Sequence, residues 1–193
     1  EKKTTKAEKF VRFAQNRVEL FHDANRETYA TIKQTGHTYR IESSAFADWL
    51  TASLMAEQDT VAGEQPKREA VATLRSIARH SGAELEVWNR VGVAENGAYV
   101  IDLCQPDNSL AVVIGPGSWS LAFDPPVKFV RSPDALPLPM PDKGGRIDPL
   151  WQVTNIPEAH RALVLAWLLE AFRPDTPYPV LELVGEEGSA KST

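Results

Sequence analysis

The chain has little with which to build a cross-linked or metal-stabilised fold, because it contains a single cysteine, Cys104. One thiol excludes a disulfide within the chain, and no group of Cys and His residues has the spacing of a zinc site. The four histidines are scattered along the sequence: His22, His37, His80 and His160. This cysteine usage fits a reducing cytoplasm best, so we expect a cytoplasmic protein.

Long apolar runs and an excess of positive charge are also missing. No stretch reaches the roughly 20 apolar residues that span a bilayer, and no signal peptide is visible, so we expect no membrane association. The net charge is −5, so the chain as a whole is not a basic nucleic-acid-binding protein. Any contact with DNA must therefore use a local patch.

Residues 1–131 predict an accessory domain of the α+β class. A helix ending near Arg17 precedes three short apolar strands, and two amphipathic helices follow with Phe46, Trp49, Leu50, Leu54 and Leu74 among their apolar positions. The predicted elements are strands at 18–22, 28–33 and 37–42 and helices from Ser43 or Ser44 and from Pro66 to His80.

Closely spaced turn residues then predict an antiparallel β-meander. Asn96-Gly97, Pro106-Asp107-Asn108, Gly115-Pro116-Gly117 and Asp124-Pro125 separate short apolar runs. The predicted strands of the meander are 85–94, 98–104, 109–114, 118–123 and 127–131.

A proline-rich linker at 132–149 divides the accessory domain from residues 150–193. The alternation of proline in Leu136-Pro137-Leu138-Pro139-Met140-Pro141 favours an extended, semi-rigid connection. After it, a short helix around Trp151 and an amphipathic helix at 157–172 form a helical lead-in. An apolar run, Tyr178 to Val184, then predicts a buried parallel strand.

The last nine residues have the pattern of a phosphate-binding loop: Gly185-Glu186-Glu187-Gly188-Ser189-Ala190-Lys191-Ser192-Thr193. Small residues let backbone N–H groups converge on phosphate oxygens. Lys191 is expected to reach the β- and γ-phosphates of ATP, and the Ser192 hydroxyl to ligate Mg²⁺. Ala190 departs from the common pattern, which has glycine before the lysine. A chance Gly/Ser tail is the alternative interpretation of the same residues.

The position of this loop predicts a longer ATPase of which the chain is a fragment. The chain has no initiator Met at Glu1, and the acidic Mg²⁺-binding strand and any arginine finger are expected downstream of Thr193. We therefore predict that the 193-residue chain does not hydrolyse ATP and binds it weakly or not at all.

Several motifs in a fixed order resemble a known family. They are Leu20-Phe21-His22-Asp23, Tyr29-Ala30-Thr31, Phe46-x-x-Trp49-Leu50, Asp124-Pro125-Pro126-Val127-Lys128-Phe129, Leu136-Pro137-Leu138-Pro139, Ala166-Trp167-Leu168-Leu169 and the loop at 185–193. Together they resemble bacterial primase/helicase-like ATP-binding proteins of prophages and integrative elements. The resemblance implies a replication-type helicase core of the AAA+ or a related class, a truncated P-loop α/β domain here, and a homo-oligomeric ring that acts on DNA. It also implies an upstream domain that links to a primase in many relatives.

Two other functions remain open from the sequence: a regulatory P-loop NTPase that is not a helicase, and a binding module with a degenerate loop. Three further groups of residues have a conceivable role. They are the carboxylates Asp23, Glu42, Asp48 and Asp102, the aromatic residues Trp88, Trp119, Phe123 and Phe129 as base-stacking positions, and a basic cluster of Lys2, Lys3, Lys6, Lys9, Arg12, Arg17, Arg26, Lys33 and Arg40.

Overall fold

The fold is described from a computed structural model that covers residues 5–58, 63–132, 134–174 and 176–185. The chain divides into two compact units, Glu1–Leu138 and Pro139–Thr193. The break between them falls inside the proline-rich segment. Each unit is described by itself.

The first unit opens with a four-stranded sheet and three helices that pack on one of its faces. The elements are α1 (Lys6–Arg17), β1 (Val18–His22), β2 (Thr28–Ile32), β3 (Thr38–Arg40), α2 (Ser44–Gln58), α3 (Glu64–Ser81) and β4 (Ala83–Glu84). The strand order is β3-β2-β1-β4, with β1–β2 and β2–β3 antiparallel and β1–β4 parallel. The predicted helices and the first three predicted strands are therefore present.

Local sequence explains the helices. α1 starts at a reciprocal capping box, in which the Thr5 side chain accepts from the Glu8 backbone N–H and the Glu8 carboxylate accepts from the Thr5 backbone N–H. Its buried face joins that of α3 in one apolar core, which also takes in residues from the sheet and α2. The members of that core include Phe10, Phe13, Val18, Ile32, Phe46, Leu50, Leu54, Leu74 and Ala78.

Gly82 allows the end of α3 to approach the sheet closely. A Cβ atom at this position would lie 2.4 Å from the Ala78 carbonyl oxygen and 2.8 Å from the Phe21 Cα. The chain then enters β4, which no sequence pattern predicted because it is only two residues long.

The second half of the first unit is the predicted meander. The strands in this half of the unit are β5 (Val87–Trp88), β6 (Val91–Val93), β7 (Tyr99–Asp102), β8 (Ala111–Gly115), β9 (Ser118–Ala122) and β10 (Lys128–Phe129). Strands β6-β7-β8-β9 form an antiparallel sheet in that order. The structure thus confirms an α+β fold with an antiparallel meander.

Two predicted strands of the meander need correction. The run 85–94 bends at Asn89 and Arg90 and forms two strands, β5 and β6, rather than one. The run 127–131 does not join the meander, because β10 pairs in parallel with β5 in a separate two-stranded sheet.

The second unit contains two helices, α4 (Asp148–Gln152) and α5 (Glu158–Glu170). They match the short helix predicted around Trp151 and the amphipathic helix predicted at 157–172. Val164 of α5 is buried, whereas Leu163 and Leu169 are 67% and 72% exposed. The predicted strand at 178–184 is not formed, because no strand lies beside this run among the described residues of the unit.

Candidate functional site

The predicted phosphate loop is only partly within the described chain. Gly185 is described and exposed, whereas Glu186, Glu187, Gly188, Ser189, Ala190, Lys191, Ser192 and Thr193 lie outside the described residues. The ATP and Mg²⁺ contacts predicted for them therefore stay predictions.

The segment that leads to this loop is attached to α5 at its beginning and is mostly exposed beyond it, although Leu181 is half-buried. The Trp167 indole Nε1 donates to the Pro179 carbonyl oxygen at 2.8 Å, and the Thr176 hydroxyl donates to the Glu170 carboxylate at 2.7 Å. Beyond this attachment, Val180 is 93% and Val184 87% exposed. An apolar run thus extends into solvent immediately before the motif.

The first unit contains a buried polar centre at the end of β7. Asp102 is 1% exposed, and the Arg131 guanidinium holds both of its oxygens, with Nε donating to Oδ2 at 2.8 Å and Nη2 donating to Oδ1 at 2.9 Å. The Cys104 backbone N–H donates to Oδ1 at 2.9 Å, and the Cys104 thiol donates to Oδ2 at 3.1 Å. The carboxylate is therefore fully hydrogen-bonded.

Arg131 also connects this carboxylate to two surrounding loops. Its Nη2 donates to the Asn108 carbonyl oxygen at 2.9 Å, and its Nη1 donates to the Gln105 carbonyl oxygen. The His37 Nε2, in the β2–β3 turn, lies 2.9 Å from Arg131 Nη1. One guanidinium thus links β7, the β7–β8 loop, the β2–β3 turn and the segment after β10.

The pKa values at this centre follow from burial and from these hydrogen bonds. Burial alone would raise the pKa of Asp102, but the bonds from Arg131 and Cys104 outweigh it and hold that pKa below its ordinary value. Burial, aided by the adjacent Asp102 carboxylate, raises the pKa of the Cys104 thiol to about 11. Cys104 is therefore a protonated, unreactive thiol at neutral pH.

The space beside this centre is too small for a substrate. A cavity of about 10 Å³ is lined by Gly36, His37, Asp102, Ser109 and Arg131 together with apolar side chains. That volume holds roughly one water molecule. The saturated hydrogen bonds and the small cavity assign this centre a role in stabilising the fold.

The other predicted carboxylates do not assemble into a pair. Asp23 caps its own turn by accepting the backbone N–H groups of Asn25 and Glu27. Glu42 forms an ion pair with Arg75, and Asp48 is exposed on α2. Among the described residues, no group of three or more His, Cys, Asp and Glu side chains is placed to hold a metal ion.

The four predicted base-stacking residues are not equivalent. Phe129 is buried in the core of the meander, where Trp88 packs beside it. Trp119 is half-buried against the apolar cluster of Leu103, Leu110 and Val112. Phe123 alone of the four is largely exposed, at 71%, so these residues do not form a stacking platform.

The residues of the predicted basic cluster differ in their surroundings. Arg17 forms an ion pair with Glu57, and Arg40 lies 4.0 Å from Glu27. Arg26 donates to the Arg79 carbonyl oxygen at 3.1 Å. Lys6, Lys9, Arg12 and Lys33 are exposed, whereas Lys2 and Lys3 lie outside the described residues.

Sequence reasoning missed the part that Arg131 takes in the buried centre. The signal that existed was one charged residue, Asp102, inside the apolar run Tyr99 to Cys104. A buried carboxylate needs a cation or several donors, but its partner lies 29 residues further along the chain.

In the described ranges, no helix combines the length and the apolar character that crossing a membrane requires. Comparison with protein-family models, with curated proteins and with solved structures finds no match to this chain.

Proposed function

We propose that residues 185–193 bind the phosphates of ATP and a Mg²⁺ ion, and that the chain is part of a DNA-replication-type helicase. The resemblance to primase/helicase-like ATP-binding proteins of mobile elements supports this assignment. In it, Lys191 contacts the β- and γ-phosphates and Ser192 ligates Mg²⁺. The loop also contains small residues that let backbone N–H groups approach the phosphates: Gly185, Gly188, Ser189 and Ala190.

One observation carries the proposal: an exposed apolar run stands directly before the loop sequence. Val180, Leu183 and Val184 are 93%, 54% and 87% exposed. Burying such a side chain stabilises a fold by roughly 1.5 to 3 kcal/mol. Three exposed apolar side chains forgo this stabilisation, which a covering sheet would restore. A phosphate loop follows a buried strand in P-loop proteins, and the run has the composition of that strand.

The attachment of this run to α5 is consistent with the same assignment. The Trp167–Pro179 hydrogen bond holds the chain against α5 just before Val180. The run therefore starts from a defined position, from which it can pair with the sheet of a nucleotide-binding domain.

Hydrolysis of ATP by the complete ATPase, with and without DNA, tests the proposal. A helicase hydrolyses ATP with Mg²⁺ and is stimulated by DNA. Turnover that DNA does not change would instead support a regulatory P-loop NTPase. Absence of any turnover or ATP binding would support a binding module with a degenerate loop.

Ala190 provides a control specific to this chain. It stands where the common pattern has glycine, and a helical backbone angle suits alanine there. We expect Ala190→Gly to keep ATP turnover, whereas a large gain in turnover from this change would indicate that the natural loop is degenerate.

A further inference from the structure

One face of α1 presents cations that form no ion pair with a carboxylate of the described residues. Lys9 and Arg12 are exposed and three residues apart, so they lie on one side of the helix. Asn16 continues the same side, and the Lys33 ammonium donates to its carbonyl oxygen at 3.3 Å. The backbone N–H of Lys33 also donates to the Arg17 carbonyl oxygen at 2.9 Å, which fixes Lys33 at the end of α1. We call Lys9, Arg12 and Lys33 the α1 basic surface.

The acidic residues near this surface are engaged elsewhere. Glu8 completes the capping box with Thr5. Glu57 pairs with Arg17, which also stacks over the Phe13 ring at 4.1 Å. Lys9, Arg12 and Lys33 have no ion pair with any described residue. Their charge is thus available to an external anion.

The spacing of the three cations suits a phosphodiester chain. With a rise of about 1.5 Å per residue, Lys9 and Arg12 are separated by about 4.5 Å along the helix axis. Asn16, which positions Lys33, lies about 6 Å beyond Arg12. A nucleic-acid strand carries one phosphate per about 3.4 Å of duplex axis, so the surface spans about three phosphates.

The opposite face of α1 argues against a membrane as the partner. An interfacial helix inserts its apolar face among lipids, but Phe10, Phe13 and Ala14 are buried in the core of the first unit. The solvent side of the helix offers charged and amide groups instead. An extended polyanion matches this arrangement better than a lipid surface does.

We propose that the α1 basic surface binds the phosphodiester backbone of DNA, without sequence preference. The inference rests on the proposed function, since it names the surface through which a DNA-dependent ATPase holds its substrate. Lysine and arginine contacts to phosphates release condensed counterions, so the binding must weaken steeply with salt.

Fluorescence anisotropy on the 193-residue chain tests this inference directly. The probes are a labelled single strand and a labelled duplex of about 20 nucleotides, which exceeds the roughly three phosphates that the α1 basic surface spans. Three phosphate contacts predict that affinity falls about 20-fold for the single strand and about 40-fold for the duplex between 50 and 200 mM salt. The variant Lys9→Gln/Arg12→Gln/Lys33→Gln should lose this binding and its salt dependence. Wild-type protein that binds neither DNA at 50 mM salt would overturn the inference.

A second triple variant controls for the change in net charge. Arg40→Gln/Arg68→Gln/Arg75→Gln removes the same number of positive charges from other surface positions. We expect it to keep the wild-type salt dependence, and circular dichroism should show both variants folded. If both triple variants lost DNA binding equally, the surface would not be specific to α1. If the wild type bound anionic phosphatidylserine vesicles as tightly as it binds DNA, the surface would not be specific for DNA.

Lys191→Ala separates this inference from the proposed function. The α1 basic surface does not involve the loop, so this variant should bind DNA as the wild type does. Loss of DNA binding in Lys191→Ala would move the contact to the loop and overturn the inference. Absence of ATP turnover in the wild-type complete ATPase would refute the nucleotide assignment and leave the DNA-binding inference standing.

Discussion

Arg131 and Asp102 form a two-point ion pair inside the first unit, with Nε 2.8 Å from Oδ2 and Nη2 2.9 Å from Oδ1. Asp102 is 1% and the Arg131 side chain 20% exposed. The same guanidinium bonds the Asn108 and Gln105 carbonyl oxygens. The pair therefore fixes the positions of loops that the short strands β5 and β10 cannot fix alone.

Arg131→Met should strongly destabilise the first unit. The change leaves the Asp102 carboxylate buried with only the Cys104 donors, and breaking one side of a buried ion pair costs about 3 to 5 kcal/mol. Urea denaturation measures the loss in unfolding free energy. Glu27→Gln removes the exposed pair with Arg40 in the same unit and should cost less than about 1 kcal/mol. Similar losses in both variants would refute the assignment.

The stabilisation by Asp102 should disappear in acid. Its folded pKa is held below the ordinary value, so its contribution is complete above the unfolded pKa of about 3.9 and is lost as pH falls through the folded pKa. The difference in urea midpoint between wild type and Asp102→Asn should thus be constant from pH 7 to about pH 5 and shrink below about pH 4. A difference that grows as the pH falls would contradict the ion pair.

The Cys104 thiol should resist modification in the folded protein. It is 4% exposed, and its pKa is raised to about 11, so little thiolate exists at pH 8. A thiol reagent such as 5,5′-dithiobis(2-nitrobenzoate) should react with it slowly in buffer and rapidly in urea, where the thiol regains its ordinary pKa. Equal rates in the two solvents would show that the thiol is accessible in the native state.

The parts of the fold that depend on local sequence could be predicted. Thr5 and Glu8 have the spacing of a capping box at the start of α1. Asn96-Gly97 and Pro116-Gly117 supply the turns between the strands of the meander, with Gly97 and Gly117 at positive φ.

The parts that depend on distant partners could not be predicted. β10 pairs in parallel with β5, and the paired residues, Lys128 with Val87 and Phe129 with Trp88, are 41 positions apart in the chain. No local signal specifies that choice. Likewise, the run 178–184 is apolar and β-branched, but a strand requires a neighbouring strand to satisfy its backbone groups. The nucleotide contacts of Glu186 to Thr193 are predicted from the motif.

ATP turnover by the complete ATPase carrying Lys191→Ala tests the central claim most directly. Lys191 supplies the positive charge at the β- and γ-phosphates, so the variant should remain folded and lose hydrolysis. Lys143→Ala changes a lysine of the same compact unit outside the motif and should keep wild-type turnover. Wild-type turnover in Lys191→Ala would contradict the assignment of residues 185–193 as a nucleotide-binding loop.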